Sequence, residues 1–251
     1  MDKCTVSVVI PVYNAGSYIR ETLDSVINQT FSDIEIICVD DGSTDDSVEV
    51  VKSYAEKDLR IKQFFQREPS DNAGKARNMG LRESSGKYVI FLDADDIFEH
   101  NLMEVLVDIA EEKKADTVIF DGFIYDDYSG EDLFPDFIVR WPRLKGRKVF
   151  KPGEVADNLF QIKTPAAWNM MCRREYIIRN NIEFRSTPMW DDIEFSCLSL
   201  AYSKRIAVCE KRLLHYRKNA SDNQSSRVTI LLDYAVSPYI SGGRIKMSWF
   251  A

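Results

Sequence analysis

Short apolar runs rich in β-branched residues alternate with amphipathic stretches through the first half of the chain, and this alternation constrains the fold most. The run TVSVVIPV at 5–12 is typical of a strand buried on both faces. Apolar residues then recur at helical spacing over 19–27. The pattern repeats around the runs IEIICVD at 34–40 and KYVIFLD at 87–93. It predicts an α/β fold: a Rossmann-like, mostly parallel sheet with helices on both faces.

The alternation stops at the segment 122–151, which is rich in charge, proline and glycine. We predict that this segment runs irregularly over the surface. Short strands are predicted again at 166–172, 206–209 and 213–217, and a helix is predicted to begin near Asp191. The 251 residues suffice for one domain with a full core.

The composition excludes several classes of protein. The chain has 33 Lys and Arg against 40 Asp and Glu, a net charge of −7 with both signs mixed, so nucleic-acid binding is not expected. Five cysteines without a CxxC pair, and only two histidines, favour reduced thiols over a disulfide framework or a zinc cluster. The sequence also lacks a membrane-spanning apolar run and a signal-peptide pattern, so we expect a cytoplasmic protein.

Polar side chains follow three of the predicted strands, at the edge of an open α/β sheet where ligands bind. Asn14 follows the first strand, Asp40 and Asp41 the second, and Asp93 and Asp95 the fourth. Each alone is an ordinary turn or cap residue, but together they indicate a binding crevice. In an extended segment Asp93 and Asp95 would face the same side and could share a divalent ion. Because neither GxxxxGK[ST] nor GxGxxG is present, nucleotide phosphates would be held through a metal.

Four motifs, in order, carry a family resemblance: VSVVIPVYN, VDDGSTD, GKARNMGL and FLDADD. Together they resemble the nucleotide-sugar half of the family 2 glycosyltransferases, which have a GT-A fold. The resemblance implies a metal-dependent inverting enzyme. Such an enzyme moves a hexose or N-acetylhexosamine from a UDP-sugar to a hydroxyl of a glycan or lipid-linked acceptor. A divalent ion would neutralise the departing diphosphate without a proton donor.

The resemblance also implies which residues contact the donor. Five residues at the first two strand ends would border the uracil and ribose, with the fourth of them facing the base: Pro11, Tyr13, Asn14, Asp40 and Asp41. The D-x-D motif corresponds to Asp93, Ala94 and Asp95. Asp93 would lie near the ribose, and Asp95 would bridge Mn²⁺ or Mg²⁺ to the diphosphate. Arg77 and Asn78 match further donor-side positions.

On the acceptor side, the segment PMWDDIEF at 188–195 resembles the E-D-x-x-F motif of the family. Asp191 replaces the Glu of that motif, and Asp192 falls on the catalytic position. Phe195 fixes this register. Two Asp at a helix start are otherwise ordinary partners of the helix dipole.

The later segment LLHYRKNASDNQS resembles the stretch that closes over the diphosphate in the family. It maps to Tyr216, Arg217 and Ser221, and His215 would be a metal or phosphate neighbour. Trp141 and Trp168 have two interpretations, which are stacking on an acceptor sugar and packing in the core. Met170 stands where many relatives carry a Lys.

We assign 1–121 to the nucleotide-sugar half, 122–226 to the acceptor-binding and catalytic-base half of the same domain, and 227–251 to a C-terminal tail. For the tail, packing on the core or on a second copy of the chain is favoured over contact with a membrane surface. With a lipid-linked acceptor, the protein would work at the inner face of the cell membrane. Two alternatives stay open: a nucleotidyltransferase, although the glycine-rich loop that it needs after the first strand is missing, and a non-catalytic module that binds nucleotide-sugars or glycans.

Overall fold

The computed structural model describes residues 4–66, 69–70, 72–135, 138–187 and 190–218, and the backbone of 236–241 and 244–249. The strands are β1 (Val6–Val12), β2 (Ile34–Asp40), β3 (Ile61–Phe65), β4 (Tyr88–Phe91), β5 (Ile97–Phe98), β6 (Thr117–Asp126), β7 (Glu131–Leu133), β8 (Val149–Phe150), β9 (Met170–Arg173), β10 (Ile206–Lys218), β11 (Val236–Ser241) and β12 (Arg244–Trp249). The helices are α1 (Ile19–Ile27), α2 (Ser47–Ala55), α3 (Ala73–Glu83), α4 (Leu102–Lys113), α5 (Trp141–Leu144), α6 (Arg174–Arg179) and α7 (Asp191–Tyr202), with a 3₁₀ helix at Pro152–Gln161.

One large sheet organises the described part of the chain. Its strand order is β3-β2-β1-β4-β9-β6-β10-β5, with β7 paired to β6 and β8 paired to β10. The β3-β2-β1-β4 part is parallel, as predicted. β9 is antiparallel to both of its neighbours, β4 and β6, so the sheet is mixed beyond β4. The predicted α/β fold is therefore confirmed, with the parallel arrangement concentrated in the first half.

Burial explains why the first half folds as its pattern predicts. Every residue of β1 and β2 is buried, which is what a continuous β-branched run requires. Helix α3 packs closely on β1 at Gly80, where an added Cβ would lie 2.3 Å from Val9 Cγ1. The carboxyl ends of β1, β2 and β4 consequently meet at one edge of a tightly packed layer.

Two expectations for the second half need correction. β6 extends to Asp126, so the segment that we predicted to be irregular from 122 begins inside a strand. The two short strands predicted at 206–209 and 213–217 are one strand, β10. Register shifts on either side of Arg212 let β10 stay paired with β6 although the charged residues 210–212 interrupt its apolar pattern.

Within the described ranges, none of the helices combines the length and the apolar character that a bilayer crossing needs. At the end of the chain, β11 and β12 pair with each other as an antiparallel two-stranded sheet. Ser221 lies outside the described residues.

Candidate active site

The loops after β1 and β2 are joined into one wall by Asn14. Its φ of 47° lies in the left-handed region, which Asn tolerates better than most residues. The backbone N–H of Asn14 donates to Ser43 Oγ (3.0 Å), and the N–H of Thr44 donates to Asn14 Oδ1 (2.8 Å). Pro11 is buried within β1, whereas Tyr13 just beyond it is 53% exposed. Tyr13 is thus the accessible aromatic side chain of this wall.

Asp40 and Asp41 are both buried at the end of β2 but have different partners. Asp40 Oδ2 accepts hydrogen bonds from the backbone N–H groups of Gly42 (2.9 Å) and Ser43 (3.2 Å). Asp41 accepts from the N–H (3.0 Å) and the hydroxyl (2.7 Å) of Ser70. Burial raises the pKa of Asp41, against the hydrogen bonds from Ser70. The loop therefore fixes both carboxylates before any ligand binds.

A turn rich in carboxylates follows β4. The strand ends at Phe91, and the N–H of Asp96 donates back to Asp93 O (3.4 Å), so Asp93 and Asp95 lie on a turn and not on the extended segment that we predicted. Burial, followed by the charge of Asp93, raises the pKa of Asp95 to about 7. Thr22 of α1 holds this turn, since its hydroxyl bonds both Ala94 O (2.9 Å) and Asp96 O (2.8 Å).

Arg217 of β10 packs directly against this turn. Its Nε donates to Asp95 O (2.8 Å), and its backbone N–H donates to Asp96 Oδ1 (2.9 Å). The guanidinium also pairs with Glu21 and Asp127, and it is buried. β10 and α1 thus both fix the acidic turn.

Arg77 of α3 connects the two predicted halves of the site. Its guanidinium is buried and donates to Asp93 Oδ1 (2.7 Å) and to Asp191 Oδ2 (2.8 Å). It also lies over the ring of Phe184, 5.5 Å from the ring centre. Asp93 and Asp191 are 98 positions apart in sequence, yet one side chain binds both.

The acidic pair stands at the start of α7, where negative charge complements the helix dipole. Asp192 Oδ2 accepts from the N–H of Ala167 (3.3 Å). Burial raises the pKa of Asp192 to about 6, while Arg77 opposes the shift. Phe195 is fully buried and stacks on Phe184, with ring centres 4.0 Å apart. This aromatic contact anchors the start of α7 beside the end of β4.

Comparison with known proteins identifies the family of the chain. Residues 7–179 match the model of the family described as Glycosyl transferase family 2. The chain belongs to glycosyltransferase family 2. Among curated relatives, it is 40% identical over 129 residues to "Glycosyltransferase GlyG" of Streptococcus pneumoniae, covering 51% of this chain and 42% of GlyG. It is 30% identical over 219 residues to "Uncharacterized glycosyltransferase EpsJ" of Bacillus subtilis, covering 85% of this chain and 61% of EpsJ.

Among solved structures, TarS of S. aureus (residues 1–349, in complex with UDP-GlcNAc) matches with a TM-score of 0.74 and 22% identity. The match covers 90% of this chain and 62% of that one. This family 2 chain therefore spans about two fifths to three fifths of the length of these relatives. The TarS match independently supports the GT-A fold.

Not every residue that we predicted to touch the donor faces the crevice. The side-chain amide of Asn78 is occupied by the backbone of Phe184: its Nδ2 donates to Phe184 O (2.8 Å), and its Oδ1 accepts from Phe184 N–H (2.8 Å). These two bonds hold the segment that carries the stacked Phe rings. The structure thus gives Asn78 a supporting position, behind the site.

His215 is placed differently from our expectation of a metal neighbour. Its Nδ1 lies 2.9 Å from an oxygen of Asp132, and its Nε2 lies 2.9 Å from an oxygen of Glu99. The ring also stacks on Phe123, with centres 4.9 Å apart. Both ring nitrogens are therefore engaged by carboxylates, away from the contacts of Asp95.

Trp141 and Trp168, for which stacking on an acceptor sugar was one of two interpretations, both contact other side chains of the protein. Trp168 is only 8% exposed and stacks on Tyr216, with ring centres 5.1 Å apart. Trp141 donates from its indole nitrogen to Asp121 Oδ2 (3.1 Å). Met170 is fully buried in β9. Packing is thus the role that the structure supports for Trp168.

Sequence reasoning missed two residues that shape the site. Thr22 lies on the apolar stripe of α1, where a single hydroxyl among aliphatic residues was the available sign. Lys163 is 1% exposed, and its ammonium donates to three oxygens of 164–169, next to the contact with Asp192. A lysine in an irregular segment gives no hint of burial, so Lys163 was not predictable.

Proposed function

We propose that the chain transfers a hexose or N-acetylhexosamine from a UDP-sugar to a hydroxyl of a glycan or lipid-linked acceptor, with inversion at the anomeric carbon. The observation that carries this proposal is the bridge made by Arg77. Because one guanidinium binds Asp93 and Asp191, the donor-side turn and the acceptor-side pair belong to one site. An inverting displacement needs groups on both sides of the reacting carbon, and the closeness of Asp93 and Asp191 supports such an arrangement here.

The relatives support a nucleotide-sugar donor. TarS was solved with UDP and with UDP-GlcNAc, and a structural neighbour, a mannosyltransferase from Pyrobaculum calidifontis, was solved with GDP-Man and Mn²⁺. A relative from Borreliella burgdorferi, 32% identical over 209 residues, is named cholesterol galactosyltransferase, which fits a lipid acceptor. The buried Asp40 and the exposed Tyr13 stand at the ends of neighbouring strands, which suits a nucleobase, and we propose uracil for this chain.

The acidic turn fits a divalent ion by its chemistry. Its donor set is all oxygen, which is the preference of Mg²⁺ and Mn²⁺. Asp96 Oδ2 is buried and, among the described residues, has no hydrogen-bond partner. Burial, followed by the charge of Asp93, raises the pKa of Asp95, and a cation would compensate that negative charge. We propose that Asp95 holds Mn²⁺ or Mg²⁺ together with the diphosphate of the donor, because such ions commonly bind through one or two carboxylates plus phosphates. When bound, the ion would neutralise charge on the departing diphosphate.

Asp192 is the proposed base. Its carboxylate would accept the proton of the acceptor hydroxyl on the side of the sugar opposite to the departing UDP. A pKa of about 6 leaves Asp192 ionised at neutral pH and still basic enough to accept a proton. Asp191, which is paired with Arg77, would position its neighbour or the acceptor.

A donor-hydrolysis screen tests the proposal. UDP-, GDP- and dTDP-sugars are incubated with the protein and Mn²⁺, and release of the nucleoside diphosphate is measured with water as acceptor. We expect release from UDP-GlcNAc or a UDP-hexose above that from the GDP- and dTDP-sugars. Binding of UDP-sugars without any release would favour a non-catalytic module. Release of pyrophosphate from a nucleoside triphosphate with a sugar phosphate would favour a nucleotidyltransferase.

Location and assembly are part of the same proposal. A cytoplasmic enzyme that uses a lipid-linked acceptor would work at the inner face of the cell membrane, through peripheral contact. We also propose that the protein self-associates through its C-terminal residues. Co-sedimentation with vesicles that contain anionic lipids tests the membrane contact. Light scattering of the full chain tests self-association.

A further inference from the structure

A buried lysine stands behind the proposed base. The Lys163 side chain is 1% exposed, and its ammonium donates to Thr164 O (2.7 Å), Ala166 O (2.6 Å) and Asn169 Oδ1 (2.8 Å). An ammonium has three N–H groups, so these three bonds use all of them. All three acceptors are neutral. The positive charge is therefore buried without a carboxylate in direct contact, and its desolvation is offset only by hydrogen bonds to neutral oxygens.

The residues that Lys163 holds lie on either side of Ala167, which contacts Asp192. The N–H of Ala167 donates to Asp192 Oδ2 (3.3 Å), and Ala167 directly follows Ala166, whose carbonyl binds the ammonium. Asn169, the third acceptor, is fully buried. Moving the ammonium would therefore change the turn that supplies the hydrogen bond to Asp192.

We propose that Lys163 is a positioning residue, whose buried ammonium fixes the turn 164–169 against Asp192 and keeps the carboxylate of Asp192 in its charged form. This inference rests on the proposed role of Asp192 as the base. Lys163 would not touch substrate. It would act through the Ala167 amide and through its own charge.

Several charged groups face Asp192, and Lys163 is one of them. Arg77 of α3 lies on one side, and the negative charges of Asp191 and Asp93 act against ionisation. Lys163 lies in a different segment, just after the 3₁₀ helix. Its charge favours the carboxylate form and so lowers the pKa of Asp192. Loss of this charge should raise that pKa.

The surroundings of Lys163 make its own charge titratable. Burial lowers the pKa of Lys163 to about 8, against the opposing influence of Cys197, Asp192 and Cys172. Lys163 is consequently cationic at neutral pH and becomes neutral in mildly alkaline solution. Activity should therefore decline above about pH 8 as well as below the pKa of Asp192.

The test compares Lys163→Met, Lys163→Arg and the control Lys52→Met, which changes an exposed lysine of α2 in the same way. The full chain is assayed for UDP release from UDP-GlcNAc with Mn²⁺ between pH 5 and 9, and its UDP affinity is measured by calorimetry. In Lys163→Met we expect the acid limb of the pH profile of kcat to move to higher pH by about 0.5–1 unit. UDP affinity should stay within about twofold of wild type. In Lys163→Arg the acid limb should stay, and the alkaline decline near pH 8 should disappear, because a guanidinium does not titrate there.

The outcomes separate a positioning role from a merely structural one. A folded Lys163→Met protein with an unshifted acid limb overturns the proposal, as does a Lys163→Arg protein with the same shift as Lys163→Met. If Lys163→Met does not fold, Lys163→Arg decides: an alkaline decline retained near pH 8 overturns the proposal, and its loss supports it.

Asp192→Asn distinguishes this inference from the proposed function. Loss of turnover in Asp192→Asn, together with an unshifted limb in Lys163→Met, overturns the inference alone. Turnover retained in Asp192→Asn overturns the base assignment, and the inference falls with it.

Discussion

Several carboxylates of the candidate site are less exposed to solvent than carboxylates on a protein surface. Asp95 is partly exposed, and burial followed by the charge of Asp93 raises its pKa to about 7. Removing its charge should therefore harm binding of a cation more than it harms the fold. Asp95→Asn is expected to weaken the Mn²⁺-dependent part of UDP binding at least tenfold and to abolish transfer. Calorimetry with UDP, with and without Mn²⁺, measures this, and unchanged metal-dependent affinity in the variant would refute the assignment.

The base pocket gives a second residue-level prediction. Asp40 Oδ2 already accepts two backbone hydrogen bonds, whereas Oδ1 receives one long contact of 3.4 Å from Ser43, so Oδ1 has lone pairs for the N3–H of uracil. Cytosine lacks that proton and would leave Oδ1 without this hydrogen bond, so CDP should bind roughly tenfold or more weakly than UDP. Competition binding of UDP and CDP to the wild type measures this. Equal affinities would remove Asp40 from this role.

The acidic pair at the start of α7 gives the third residue-level prediction. Asp192→Asn keeps size and hydrogen bonding but cannot accept a proton, so transfer should fall by about 10²- to 10⁴-fold with near-normal UDP affinity. Asp191→Asn is the matched control and should cost less, because Asp191 is already paired with Arg77. Turnover and UDP affinity are measured side by side for both variants. A dead Asp191 variant beside an active Asp192 variant would show that the roles are exchanged.

At the scale of elements, the start of α3 sets the position of Arg77. An added Cβ at Gly74 would lie 2.2 Å from Arg185 O, a backbone atom, and 3.1 Å from Asp191 Oδ2. Gly74→Ala should therefore push α3 away, destabilise the protein by about 1–3 kcal/mol and lower turnover. Gly153→Ala is the control, since nothing lies within 4 Å of its added Cβ. Urea unfolding of both variants measures the difference, and equal stability would contradict the close approach of α3.

The same scale shows what the sequence could predict. β1 and β2 were predicted within a residue or two because local β-branched runs decide a strand that is buried along its whole length. β10 was not, since its charged residues 210–212 hide a continuous strand whose pairing with β6 is a tertiary interaction. The acidic residues that we assign to the site could be proposed from their motifs. The bridge through Arg77 could not, because Asp93 and Asp191 are distant in sequence and only packing brings them together.

At the scale of the whole molecule, the buried carboxylates make stability depend on pH. The pKa values of Asp95 (about 7) and Asp192 (about 6) are raised by burial, so between about pH 4 and 7 the folded state binds more protons than the unfolded chain. Stability from these groups is present below pH 4 and is lost as pH rises. Burial raises the pKa of Glu35 too, but hydrogen bonds from Lys62 and Ser7 outweigh it and bring the pKa to about 2. Glu35 therefore stabilises above about pH 4.5 and loses its contribution as pH falls.

These opposing groups place maximum stability of the ligand-free protein in mildly acidic solution. Thermal unfolding should show Tm falling by roughly 2–6 °C between pH 5 and 8. Asp95→Asn should reduce this fall, because the variant has no charge to bury at pH 8, and its Tm should exceed that of the wild type there. UDP with Mn²⁺ should restore the Tm of the wild type at pH 8 by binding the folded state, and should restore that of the variant much less. A wild-type Tm that is flat or rises from pH 5 to 8 would contradict this account, since site carboxylates buried for cation binding must destabilise the empty protein when they ionise.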